Sequence, residues 1–181
     1  MPRSLMLSAC AVLAGAFLAG CTTPTARQDQ SSPFYAVPVG TTVELHRELS
    51  IPPGATRAWI QHGKVVRGIN SYEPNCNIEV TIRDEERTQV VAPGVFRVRR
   101  TQSYFEWVVQ AAEPIRVASS QDDGGNSMVY QGYHLWLENP EQPNVRRLSC
   151  RGVFDDLGQA NPPSIDEIRA ALGEVATLHL P

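Results

Sequence analysis

Asn77-Ile78-Glu79-Val80-Thr81-Ile82-Arg83 is the stretch on which the fold turns. Apolar Ile78, Val80 and Ile82 alternate there with polar Asn77, Glu79, Thr81 and Arg83. Successive side chains of a strand point to opposite faces, so a period of two predicts a β-strand with one packed face and one wet face. The rule extends outward in both directions. Val43, Leu45 and Leu49 alternate with polar neighbours, Arg47 excepted, and residues 95–99 repeat the pattern. Residues 104–109, Tyr-Phe-Glu-Trp-Val-Val, and residues 128–137 are rich in aromatic and β-branched side chains, which suit a pleated surface and predict central strands. Pro52-Pro53-Gly54, Ala92-Pro93-Gly94, Glu113-Pro114, Asp122-Asp123-Gly124-Gly125 and Asn139-Pro140 punctuate these runs with turn chemistry. Short strands and frequent turns predict a mainly β fold, an antiparallel sandwich or a partly open barrel.

One short C-terminal helix interrupts the pattern. Ser164 follows Pro162-Pro163 and can cap the run Ile165 to Leu172, with Glu167 three residues on as its capping-box partner. Ile165, Ile168 and Leu172 share one face, and Gly173 is a natural stop. The helix is expected to cover one end or edge of the sheet, with a last strand over residues 175–180.

The first residues read differently. Met1-Pro2-Arg3 is followed by an uncharged, apolar run over residues 5–18, the layout of a signal peptide over residues 1–20. As a helix that run would reach about 21 Å, short of the roughly 30 Å hydrocarbon core of a bilayer. Leu18-Ala19-Gly20-Cys21 resembles the lipobox of bacterial lipoproteins: an aliphatic residue, two small residues that let a peptidase approach the backbone, then a thiol. Leu7-Ser8-Ala9-Cys10 fits the same pattern but leaves too few apolar residues ahead of it. The resemblance implies cleavage before Cys21 and fatty acylation of that residue. Several chains hold stably because each buried methylene contributes about 0.8 kcal/mol. With Thr22 rather than aspartate after the cysteine, the resemblance further implies an outer-membrane address facing the periplasm. Residues 22–33, TTPTARQDQSSP, have almost nothing to bury and are expected to form a disordered tether, leaving residues 34–181 as one β-rich domain. Elsewhere, Leu49-Ser50-Ile51-Pro52-Pro53-Gly54, residues 72–79, residues 148–154 and Ile168-Arg169-Ala170-Ala171-Leu172-Gly173 are similar to small proteobacterial envelope proteins of no established role.

Of four cysteines, Cys10 leaves with the signal and Cys21 takes lipid, so Cys76 and Cys150 are expected to pair in an oxidising compartment and join an early strand to a late one. The remaining chemistry is sparse. The chain of 181 residues carries a net charge of -3, Lys64 is its sole lysine, and no stripe of basic residues stands out, which argues against nucleic acid. His46, His62, His134 and His179 are scattered without metal-ligand spacing, so no metal or cofactor is implied. No Gly-x-Ser-x-Gly elbow or glycine-rich phosphate loop is present. Asp84-Glu85-Glu86 reads as a solvated hairpin tip, Asp155-Asp156 as a turn, and the Asp122 to Asn126 loop as a flexible turn with, at most, weak calcium affinity. Trp59, Tyr104, Trp107, Tyr130, Tyr133 and Trp136 could line a ligand cleft, with Trp59, Trp107, Tyr133 and Trp136 the candidate contacts, although aromatic residues on strands are more often core.

These readings converge on a non-enzymatic, lipid-anchored envelope protein, attached to the membrane through its N-terminal lipid and binding a protein or polymer partner. Two alternatives stay open: a small barrel carrying an apolar ligand, and an envelope hydrolase built from dispersed carboxylates or histidines.

Overall fold

The computed structural model describes residues 29–109 and 128–181. The expected signal peptide, the expected lipidation site Cys21 and the Asp122 to Asn126 loop lie outside these residues. The chain runs β1 (Thr42–Leu45), β2 (Leu49–Ile51), β3 (Arg57–Gln61), β4 (Lys64–Val66), β5 (Asn75–Val80), β6 (Gln89–Val91), β7 (Gly94–Val109), β8 (Met128–Glu138), β9 (Val145–Arg151), β10 (Asp155–Asp156), α1 (Ile165–Leu172) and β11 (Ala176–His179). Nine strands form one antiparallel sheet in the order β11-β1-β7-β8-β9-β5-β3-β4, with β10 paired to β8 beside this path, and β2 pairs with β6 in a separate ribbon. The sheet curls into a half-barrel, so the mainly β expectation holds in its partly open form.

One face of the sheet is apolar and supplies the core. Val43, Leu45, Phe96, Val98, Leu135, Leu148, Ile78 and Ile60 are fully or almost fully buried on it, joined by Leu49, Ile51 and Val91 from the small ribbon. Helix α1 adds Ile165, Ile168, Ala171 and Leu172. It forms as its sequence predicts. The Ser164 hydroxyl accepts from the Glu167 amide at 3.3 Å, and the Ser164 amide donates to the Glu167 carboxylate at 2.8 Å. The helix packs on β5, β3 and β11, near opposite ends of the strand order, so it spans the curl instead of capping one edge as expected. The last strand, β11, pairs with β1.

The β3–β4 hairpin turns through His62 and Gly63, both at positive φ (52° and 68°), the geometry of a tight two-residue turn whose twist matches its strands. Gly63 donates its amide to the Ala171 carbonyl at 3.0 Å. A Cβ on Gly173, itself at φ 47°, would meet the Gly63 backbone at 2.5 Å. Two glycines therefore let the hairpin and the helix end touch backbone to backbone.

Several expectations change. The Val43, Leu45, Leu49 run divides at the His46-Arg47-Glu48 loop into strands of two different sheets. Residues 95–99 and 104–109 belong to one long strand, β7. Ile82 lies beyond β5 and is 66% exposed. Asp155-Asp156, expected as a turn, pairs with Val129 and Met128. The end of the expected tether is docked: the Ile165 amide donates to the Gln30 carbonyl at 3.2 Å, and the Tyr133 hydroxyl donates to the Pro33 carbonyl at 2.7 Å. Most consequential for function, β5 has no wet face. All six of its residues are buried, the polar ones included, with Asn75 0%, Asn77 3% and Glu79 5% exposed.

Candidate functional site

The polar residues of β5 are buried because the opposite face of the sheet carries its own layer of side chains, ordered by strand register. One cross-strand row runs Arg57, Glu79, Arg147, Trp136, Arg100 across β3, β5, β9, β8 and β7. The next runs Trp59, Asn77, Ser149, His134, Gln102, and a third runs Asn75, Arg151, Gly132, Tyr104. Directly opposed side chains on one face lie within contact range, so each row is a chain of interacting pairs.

The first row alternates charge. Glu79 Oε2 accepts from Arg147 Nη2 at 2.8 Å and from Arg57 Nε at 3.2 Å, while Oε1 accepts from Arg146 Nη1 at 3.2 Å. One buried carboxylate thus holds three guanidiniums. Trp136 lies beneath a second set, with Arg100, Arg146 and Arg147 at 4.3, 5.0 and 5.4 Å from its ring centroid. The electron-rich ring face attracts these cations and fixes where they sit.

The third row holds a single, more enclosed cation. The Arg151 guanidinium lies 4.8 Å from the Trp59 ring and 4.0 Å from the Tyr130 ring. Its Nε donates to Asn75 Oδ1 at 3.0 Å, and its side chain is only 9% exposed. The nearest carboxylate, the exposed Glu106, stands at 3.6 Å. Gly132 makes room for this packing. A Cβ there would collide with the Cys150 carbonyl and meet the Tyr104 ring at 2.9 Å. With no side chain in the way, Tyr104 lies flat on His134, ring centroids 3.8 Å apart and planes 5° from parallel. His134 Nδ1 shares a 2.8 Å hydrogen bond with Ser149 Oγ. Burial, and then the charge of Arg147, pushes the His134 pKa down to about 4, so its ring is neutral near pH 7. Burial likewise pushes the Tyr104 hydroxyl up to about 12.

These rows enclose a cleft of about 270 Å³ lined by Arg57, Trp59, Asn77, Tyr104, His134 and Arg151, among others. Around the cleft and Trp136, Arg57, Arg100, Arg146, Arg147 and Arg151 stand against Glu79 and Glu106, a local excess of cations on a chain whose net charge is -3. This corrects the expectation that no basic stripe exists. The stripe is made across strands, so it is invisible along the chain.

The aromatic candidates divide. Trp59 and Trp136 belong to this face, and so do Tyr104 and Tyr130. Tyr133 is 3% exposed on the apolar face, where it pairs with Ser103, and by alternation Trp107 shares that side further along β7. Trp107 is 39% exposed and packs edge-on against Phe105 at 5.7 Å. The four candidate contacts therefore do not form one cleft. The other histidines stand apart as well: His46 bonds Thr177, His179 bonds Glu44 and His62 bonds Glu73. Asp84 accepts backbone hydrogen bonds from Glu86 and Arg87 in a loop that links β5 to β6, strands of different sheets, so the expected hairpin tip is instead a crossover between sheets.

Beneath the site Cys76 and Cys150, exact register partners on β5 and β9, form the expected disulfide. It faces the core and staples the two strands that carry Asn75, Asn77, Glu79, Arg147 and Arg151. Among the described residues no group of three histidine, cysteine, aspartate or glutamate side chains gathers as a metal site, and no helix is long and apolar enough to cross a membrane. Compared with known proteins, the chain matches no family model, no curated protein and no solved structure significantly.

Proposed function

We propose that this chain is a lipid-anchored protein of the bacterial envelope that works by non-covalent binding, holding an anionic partner on its arginine and aromatic face. The lipobox-like Leu18-Ala19-Gly20-Cys21 supports the anchoring. The observation that carries the binding is the Glu79 row: three guanidiniums share one buried carboxylate, and one further cation, Arg100, lies over Trp136, so this part of the face is left positive while the chain is negative. A rim of half-exposed arginines on a rigid sheet steers and orients an anionic surface.

Other readings draw less support. The space between the sheet and α1 is filled by Phe96, Leu45, Ile60, Ile78, Leu135 and the helix, which does not favour an apolar-ligand carrier. Ser149 and His134 are hydrogen bonded, as a nucleophile and its base would be, but a histidine whose pKa lies near 4 is a poor base near neutral pH.

Two measurements test the proposal. The intact mass of the mature protein should correspond to residue 21 onward plus fatty acyl groups, and a mass that retains residues 1–20 would remove the anchoring. A photocrosslinker at position 146 should capture an envelope component in cells, and capture should drop at least tenfold in Arg100→Glu/Arg57→Glu protein. Equal capture by the two proteins would remove the face from the interaction.

A further inference from the structure

The cleft between Trp59 and Tyr104 holds a buried acceptor that no protein group satisfies. Asn77 is 3% exposed, and its Oδ1 has no hydrogen-bond partner. Its orientation is set by the amide nitrogen, which faces the Ser149 carbonyl at 3.5 Å, a group that can only accept. Burying an acceptor without a donor costs about 1–3 kcal/mol, so such a group marks a place where something else supplies the hydrogen. Of the charged side chains that line this cleft, three are cations and one, Glu106, is an anion. Arg57, Arg147 and Arg151 line the same cleft, and Arg151 is held between two rings with its Nη1 3.6 Å from the half-exposed carboxylate of Glu106. A matching ligand carries a negative charge for the guanidiniums and, close beside it, an N–H or O–H for Asn77. Sulfate, fully deprotonated near neutral pH, supplies the first and lacks the second.

We infer that the cleft binds the free C-terminal carboxylate of a peptide, with the carboxylate on Arg151 and Arg57 and the last amide N–H on Asn77 Oδ1. A planar guanidinium and a carboxylate match in a two-bond fork, and the last peptide N–H lies next to the carboxylate on the same residue. Asn77 is reached when Arg57, whose side chain is 41% exposed, swings off Glu79. Arg146 and Arg147 continue to neutralise that carboxylate. The cleft volume of about 270 Å³ suits the end of a peptide and not a long segment. This inference rests on the anion-binding reading above and narrows it to one chemical class.

Titration calorimetry of the full mature protein in detergent tests it with four probes: acetyl-alanyl-alanine, its C-terminal amide, the same acid with its last peptide nitrogen methylated, and sulfate. The free acid should bind, and the amide at least about tenfold more weakly, a difference of about 1.4 kcal/mol. The N-methylated acid should also lose about tenfold in the wild-type protein. Asn77→Leu should bring the acid and the N-methylated acid to equal affinity, because the acceptor is gone. Arg169→Gln, on helix α1 and away from this face, should leave the ranking unchanged. Sulfate binding as tightly as the acid, or the two acids binding equally to wild type, overturns the inference. If no probe binds while the position-146 crosslink persists, the peptide-terminus inference fails and the anionic-partner reading stands; if both are negative, both fail. The wild-type comparison decides the matter even if Asn77→Leu does not fold.

Discussion

Glu79 is the residue on which the polar face hangs. Its carboxylate is buried and accepts from Arg57, Arg146 and Arg147, so removing it strands three guanidiniums near one another. Breaking a buried charge network from its hub costs far more than trimming an exposed member. Glu79→Ala is expected to destabilise by about 3 kcal/mol and Arg57→Ala by about 1 kcal/mol or less, read from denaturant midpoints. His134 gives the face a pH signature. Its folded pKa of about 4 lies below the ordinary 6.5 of a histidine, so the unfolded chain binds more protons between those values. The stabilisation from the neutral ring is complete above pH 6.5 and is lost as pH falls through that window. His134→Gln protein should show a flatter decline between pH 6.5 and 4 than wild type, and parallel profiles would mean that the ring is not desolvated as described. Neither residue announces itself in the sequence. Glu79 reads as one polar member of an alternating strand, and His134 as a histidine like the other three.

At the scale of elements, two glycines set the contact between α1 and the β3–β4 hairpin. Gly173 sits at positive φ with its Cα against Gly63, so Gly173→Ala meets both a strained backbone and a collision. We expect a loss of about 2 kcal/mol or more, compared with about 1 kcal/mol for Ser164→Ala, which removes only the cap. Thermal melts of the two variants check the order, and a Gly173→Ala protein as stable as wild type would show that the hairpin is not pinned there. The helix itself was legible from Ser164 and Glu167 because capping is local chemistry between residues three apart. Its docking place was not. The pattern Ile165, Ile168, Leu172 states that one face is buried and is silent about which strands bury it.

Across the whole molecule, the disulfide ties positions 74 apart in sequence within strands already in register, directly under the candidate site. Closing a loop of that length restricts the unfolded chain, and Cys76→Ala/Cys150→Ala is expected to lower stability by about 2–4 kcal/mol, measured by chemical unfolding under non-reducing conditions. An unchanged midpoint would mean that the strand ladder alone holds β5 to β9. The alternation of Ile78 and Val80, the capping box and the pairing of the last two cysteines were determined by the sequence itself, because each depends on spacing along the chain or on elimination. Only the tertiary structure decided that the polar sides of β3, β5, β9, β8 and β7 would lie side by side. Arg57, Arg100 and the β9 pair Arg147 and Arg151 come from three distant parts of the chain and become neighbours through strand register. Curling the sheet around one apolar core left the other face to gather charge, and burial there, not composition, gave Glu79, Asn77 and Arg151 their properties.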